Sequence, residues 1–281
     1  MHVHRSAAAT AILVAILMGT FGTQSATAQV PRTLTQFGQP VYPAYEGWYD
    51  NPDGSFTLLI GYFNPNEEET VEVSIGENNF ISPGPPDQGQ PSVFDSGRGY
   101  GVFTIQVPAD FGDKQVSWTL TSNNQTVTIP MHMQADYYVE PLKDAANGNE
   151  PPTIRFSQSG EGYAGPPIGV AQSYTAAVGT PLELSVWTSD VKPPEGYRPN
   201  PFRTQIPLTL KWHVLRSPGQ VEFSEPEQEF EDSSDQNPTT TATFSEPGEY
   251  LLRVEGLDET GEGGSGFQCC WTSVHVRVTV S

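Results

Sequence analysis

The chain is poor in positive charge, in cysteine and in long apolar runs. Thirteen Lys and Arg stand against 33 Asp and Glu in 281 residues, a formal net charge of −20. Nucleic-acid backbones are bound through clustered cations, so DNA and RNA are excluded as partners, and adhesion to an anionic membrane surface is disfavoured on the same ground. The deficit is shared: residues 29–142 hold 3 basic and 14 acidic side chains, and residues 143–281 hold 9 and 19. Neither half is therefore a basic arm. Beyond Phe21 no stretch approaches the roughly 20 apolar residues of a membrane-spanning helix. No 3.6-residue apolar period persists over ten positions, which argues against a helical architecture. The motifs Gly-x-Ser-x-Gly, His-Glu-x-x-His, the P-loop and the dinucleotide fingerprint are all missing.

What is present begins with an export signal. His2, His4 and Arg5 make a positive start, an apolar stretch runs from Ala7 to Phe21, and Ala26-Thr27-Ala28 has the small-x-small pattern of a cleavage site. The expectation is a signal peptide over residues 1–28 and a mature chain exported to the periplasm, the cell surface or the medium.

The 27 Gly and 26 Pro punctuate short runs with period-two alternation, the pattern of an all-β sandwich. Candidate strands in the first half are Ser55–Tyr62, Thr70–Ile75, Gly101–Val107, Gln115–Leu120 and Thr126–Met133, with Pro130 marking the last as an edge or a bend. The Gly- and Pro-rich stretch Ser82–Arg98 reads as a surface loop. Lys143–Pro152 is polar and ends in two prolines, as a linker does. In the second half Pro181–Thr188, Leu208–Val214, Thr239–Phe244, Tyr250–Val254 and Val274–Val280 read as strands, each with one apolar face. The expected organisation is all-β: two tandem β-sandwich domains after a cleaved signal peptide, over residues 29–142 and 153–281, joined by a linker at 143–152.

In the second half several landmarks fall in order. They are Val178-Gly179-x-Pro181-Leu182, a central strand with Trp212, Ser217-Pro218-Gly219-x-Val221, Ala242-Thr243-Phe244-Ser245-x-Pro247-Gly248-x-Tyr250, and a closing Val-x-Val-x-Val strand. This order resembles the polycystic-kidney-disease (PKD) type of immunoglobulin-like domain. The family's Trp-Asp-Phe-Gly-Asp-Gly stretch is absent, since His213-Val214 follow Trp212. The resemblance implies an Ig-like sandwich in which Trp212 packs on Leu252, the place of the second core cysteine in antibody domains, so no intersheet disulfide is implied. It also implies an extracellular spacer or interaction module; fold alone does not specify function.

The most unusual local sequence is Gly261–Trp271, where the two cysteines, Cys269 and Cys270, are adjacent. Across a trans peptide their Cα atoms would lie 3.8 Å apart, below the usual disulfide range of ~4.4–6.8 Å. Three readings stay open. Bonded to each other, they would form an apolar platform with Phe267 and Trp271 for a sugar ring or a partner side chain. They could also pair with another chain, or Cys270 could be a small core residue, since strand parity turns Cys270 and Thr272 inward and Cys269 and Trp271 outward. Phe267, Cys269, Cys270 and Trp271 are the candidate contact residues.

No metal or other cofactor is called for. His132 points away from Met131 and Met133 by strand parity, and His213 and His275 take the outward parity of their strands, so all three read as surface histidines. The acidic turns near Asp53 and Asp258, and the run Glu222–Asp235 with seven acidic residues in fourteen, are compatible with Ca²⁺ but match no EF-hand or nonapeptide spacing. The reading that follows is a non-catalytic exported binding or structural module whose partner is a polysaccharide or an extracellular protein. An alternative is an accessory subunit of an exported enzyme complex. A reading of a different class is a hydrolase using paired carboxylates.

Overall fold

A computed structural model describes residues 36–141, 148–191, 208–259 and 269–281. The first half carries β1 (Tyr42–Asp50), β2 (Phe56–Asn64), β3 (Val71–Glu72), β4 (Asn79–Ser82), β5 (Val93–Phe94), β6 (Gly97–Val107), β7 (Val116–Ser122) and β8 (Gln125–Met131), with a 3₁₀ turn at Ala135–Tyr137. The second carries β9 (Thr153–Arg155), β10 (Val170–Ala176), β11 (Leu182–Ser185), β12 (Trp187–Ser189), β13 (Leu208–Arg216), β14 (Val221–Phe223), β15 (Glu227–Phe230), β16 (Thr239–Phe244), β17 (Gly248–Asp258) and β18 (Trp271–Val280). The fold class is all-β, as the alternation predicts.

In the first half the antiparallel sheet β1-β2-β6 faces the sheet β4-β7-β8, with the pair β3-β5 beside them. Leu58, Ile60, Phe103 and Trp118 fill the space between, and the Phe103 ring meets the Trp118 ring edge-on at 5.2 Å. β8 is an edge strand, which is where Pro130 can sit without breaking a ladder. The Gly- and Pro-rich part Ser82–Asp87 is the exposed loop that its composition predicts, but from Gln90 the chain turns inward. Gln90, Val93 and Phe94 are buried, and buried amides replace the missing ladder. Asn79 donates to the carbonyls of Val73 and Pro91 and accepts from the Trp118 indole; Asn64 donates to those of Glu69 and Phe94. Such pairing is what an irregular buried backbone requires.

In the second half the sheet β10-β18-β17-β13-β15 faces β11-β16-β14, with the pair β12-β9 beside them. Trp212, Phe244, Leu252 and the valines of β18 share one core. The Tyr250 hydroxyl donates to the carbonyl of Glu246 at 2.8 Å, the arrangement of a tyrosine corner in Ig-like domains.

Alternation fails in one region. From Leu252 to Asp258 in β17, and from Trp271 to Val276 in β18, every residue is buried, whereas Arg277 and Thr279 further along β18 are exposed. These stretches pair with each other, Leu252↔Val276 through Leu257↔Trp271. Their second face is covered by the first half, and residues 34–281 pack as one unit. Strands buried on both faces lose the in–out pattern.

Candidate functional site

Cys269 and Cys270 form a disulfide, with a cis peptide between them and Cα atoms 3.0 Å apart. The trans spacing assumed from sequence does not apply. Both residues are buried. The Asp258 amide donates to the Cys270 carbonyl, and Cys269 Sγ lies 3.8 Å from the Asn149 carbonyl. Trp271 is 0% exposed and packs with Leu59 and Leu257, against Tyr100 and Val139. Its outward parity is as expected, but outward here means toward the first half. Gly101 takes φ +50, and a Cβ on it would collide with the Trp271 indole; glycine is what lets the two come together. Phe267 lies outside the described residues.

The same outward face carries a buried polar network, and it corrects the expectation of surface histidines. His275 is buried, its Nε2 lying 2.8 Å from the Val102 carbonyl. Burial is the main reason its pKa falls to about 4, so the ring is neutral and Nε2 carries the donated proton. His213 is partly buried between Asp95 of the first half at 3.1 Å and Glu255 at 3.3 Å. Burial pulls its pKa down, but these two carboxylates outweigh burial and leave it raised. Glu255 is opposed by burial, yet Arg253 and His213 hold its carboxyl below the ordinary value. Arg253 donates to Glu255, to Ser273 Oγ and to the Tyr100 carbonyl. At the rim Arg216 grips Asp87 bidentately at 2.7 and 2.9 Å, and the Ser92 amide donates to the Leu215 carbonyl. Nearby in the first half, Glu46 accepts from Arg98 and from the Gly101 amide. Its pKa is raised by burial, with Arg98 acting against the rise. Sequence reading missed Asp95, Glu46 and Arg98. The one available signal was Arg253-x-Glu255, two opposite charges on the same strand face.

A third feature lies on the surface. Glu46 forms a bulge, since Tyr45 pairs with Ile60 while Gly47 pairs with Leu59. The extra residue puts Tyr45 and Trp48 on one face although they are three apart. The segment at Gln134–Val139 runs alongside: Tyr45 Oη donates to the His132 carbonyl at 2.5 Å, Trp48 Nε1 to the Gln134 carbonyl at 2.8 Å, and the Val139 amide to the Trp48 carbonyl at 3.0 Å. Gly47 permits this approach, because a Cβ there would meet the Tyr137 carbonyl and Val139. Tyr137 stacks on Tyr45 at 5.3 Å and takes the His132 ring edge-on at 4.9 Å. Tyr138 meets Trp48 at 5.0 Å and donates to Asp50 at 3.0 Å. Tyr137 and Tyr138 remain 41% and 47% exposed. Met131 and Met133 join the first core while His132 turns the other way into this cluster, as strand parity predicts. On the opposite face of β1, a groove of about 410 Å³ is lined by Tyr49, Asn51, Asp53, Gln106 and Ile168.

Among the described residues, no three His, Cys, Asp or Glu side chains are grouped to hold a metal ion, and no helix is long and apolar enough to cross a membrane.

No protein-family model matches the chain, and no curated protein matches it. Among solved structures, it is similar to S-layer protein SbsC domains 4 and 5 at 11% identity, TM-score 0.24, covering 86% of this chain and 98% of that one. It is similar to the D00-D0 domain of intimin at 8% identity, TM-score 0.27, covering 86% and 99%. The PapD-like domain 7 of human CEP192 aligns at 12% identity, TM-score 0.29, covering 53% and 97%. At such scores these likenesses carry no argument about mechanism or partners.

Proposed function

We propose that the chain is a non-catalytic, exported binding module of two sandwich domains, and that it recognises a neutral polysaccharide through Tyr137 and Tyr138. The observation that supports this reading is the pre-set aromatic surface. Two exposed rings are backed by Tyr45 and Trp48 and tied to β1 through backbone hydrogen bonds. A sugar ring offers apolar C–H faces ringed by hydroxyls, and a tyrosine offers an apolar face with a polar tip. Rings already held in place lose little freedom on binding. The net charge of −20 repels acidic polymers and favours a neutral one.

The test is electrophoresis of the purified protein through native gels containing soluble β-glucan or starch, with alginate as the acidic control. The expected result is retardation by a neutral glucan, none by alginate, and its loss in Tyr137→Ala/Tyr138→Ala. Retardation unchanged in that variant, or absent in every neutral glucan, overturns the reading. Stoichiometric co-purification of a protein partner whose binding ignores the two tyrosines also overturns it, in favour of an accessory subunit.

A further inference from the structure

We infer that His213 is a pH-sensitive latch between the two halves: protonated, its ring ties Asp95 of the first half to Glu255 of the second, and on losing a proton it lets Asp95 go. The His213 ring, on β13, has Nδ1 3.1 Å from Asp95 Oδ2 and Nε2 3.3 Å from Glu255 Oε2. Asp95 lies between β5 and β6, whereas Glu255 lies on β17. An ionised carboxylate only accepts, so both ring nitrogens must carry a proton for both contacts to hold. The geometry is that of an imidazolium bridging two bodies of the fold.

The surrounding charges set how firmly that proton is held. On β17, Arg253 stands opposite His213 in the ladder and opposes a second positive charge, but it is itself paired with Glu255. On β13, Lys211 is engaged by Glu227 at 3.3 Å and Arg216 by Asp87. Behind β17, His275 of β18 faces Arg253 and is kept neutral by burial. From the first half, the Tyr62 phenol, which burial keeps protonated, lies beside Asp95. Glu72 and Glu222 line the groove beyond Asp95. Burial of the ring works against the imidazolium, and the carboxylates of Asp95 and Glu255 outweigh it, which holds the ring above its ordinary value of 6.5.

The two contacts do not break alike. A neutral ring keeps one N–H. The Glu255 side chain is 2% exposed and that of Asp95 39%. A carboxylate shut off from water suffers most from losing a donor, whereas a partly exposed one is hydrated instead. The remaining proton therefore stays on Nε2, facing Glu255, and Nδ1 turns a lone pair on Asp95. Two acceptors at that distance repel, and Asp95 swings into the groove of about 430 Å³ that it lines between Val93 and Val214. The seam loosens at this rim, where the Ser92 amide donates to the Leu215 carbonyl. The inner links, Arg253 to Tyr100 and His275 to Val102, do not use this proton. Because the native pKa is the higher one, the latch contributes fully below about pH 6.5 and is lost as pH rises through the native value.

The experiment is histidine titration by NMR, with amide hydrogen exchange, on the full mature chain from about pH 5.5 to 9. The His213 signal, identified by its absence in His213→Gln, should titrate above 6.5 and move down in Asp95→Asn. The protection factor of the Ser92 amide should fall about two- to fivefold through the His213 midpoint, the contribution of a partly exposed ion pair. Asp95→Asn should abolish that fall, because an amide can donate to Nδ1 of the neutral ring where a carboxylate cannot. Asp95 is partly exposed, so the variant folds. A His213 midpoint at or below 6.5, or one that Asp95→Asn leaves in place, overturns the inference. So does Ser92 protection that is constant through the midpoint or falls equally in Asp95→Asn. None of these outcomes touches the glucan test, which reads Tyr137 and Tyr138.

Discussion

Arg253→Met tests whether the two halves are held by a dry polar network. Arg253 and Glu255 are 4% and 2% exposed as side chains and are paired. Removing the guanidinium leaves the Glu255 carboxylate buried with His213 at 3.3 Å, and leaves Ser273 Oγ and the Tyr100 carbonyl without this donor. Breaking one partner out of a buried ion pair costs about 3–5 kcal/mol. Replacing both charges is far milder, because no lone charge remains. Arg253→Met/Glu255→Met should cost about 1–2 kcal/mol, chiefly for the unmatched Tyr100 carbonyl. The coupling between the two positions is then at least about 2 kcal/mol. The assay is urea unfolding of the wild type, both single variants and the double, followed by tryptophan fluorescence at pH 7.5. Costs that simply add, or an Arg253→Met cost below about 1 kcal/mol, would refute the reasoning, since both are the behaviour of a solvated pair.

Three further outcomes follow from the same face. Gly101→Ala should destabilise by at least about 1–3 kcal/mol, because the new methyl enters the Trp271 indole at a positive φ; unchanged urea unfolding would show that Trp271 is not docked there. His275 has its pKa lowered from 6.5 to about 4, so below pH ~6.5 the unfolded chain binds a proton that the native chain refuses. Its contribution is an increasing loss of stability as pH falls toward 4, about 2–3 kcal/mol at pH 4.5. His275→Gln should show a correspondingly smaller drop between pH 7.5 and 4.5 in paired urea curves, and an equal drop would refute the assignment. The intact mass of the mature protein, denatured but not reduced, should lie about 2 Da below the dithiol form and take up no alkylating reagent; two alkyl groups added would contradict the Cys269–Cys270 bond.

What sequence alone determined was the class of structure. Gly and Pro punctuation and period-two runs place most strands, and the apolar faces of the second half mark its core, Trp212 and Leu252 among them. β1 was missed because the bulge at Glu46 breaks its alternation. The interior course of Gln90–Phe94 was missed because Asn64 and Asn79 do through side chains what ladders do elsewhere. The candidate sites depended on tertiary structure throughout. Parity correctly turned Trp271, His213 and His275 away from their own core, but it cannot say what lies on the other side. Alternation reports which face of a strand meets its own sheet partner, while a second body packed on the far face contributes nothing to that pattern. His213 and His275 read as surface residues because their partners, Asp95 and the Val102 carbonyl, lie more than a hundred residues away in the chain. The burial of Asn149 beside Asp258 belongs to the same class of fact, since the two stand far apart in the chain and meet only once it has folded.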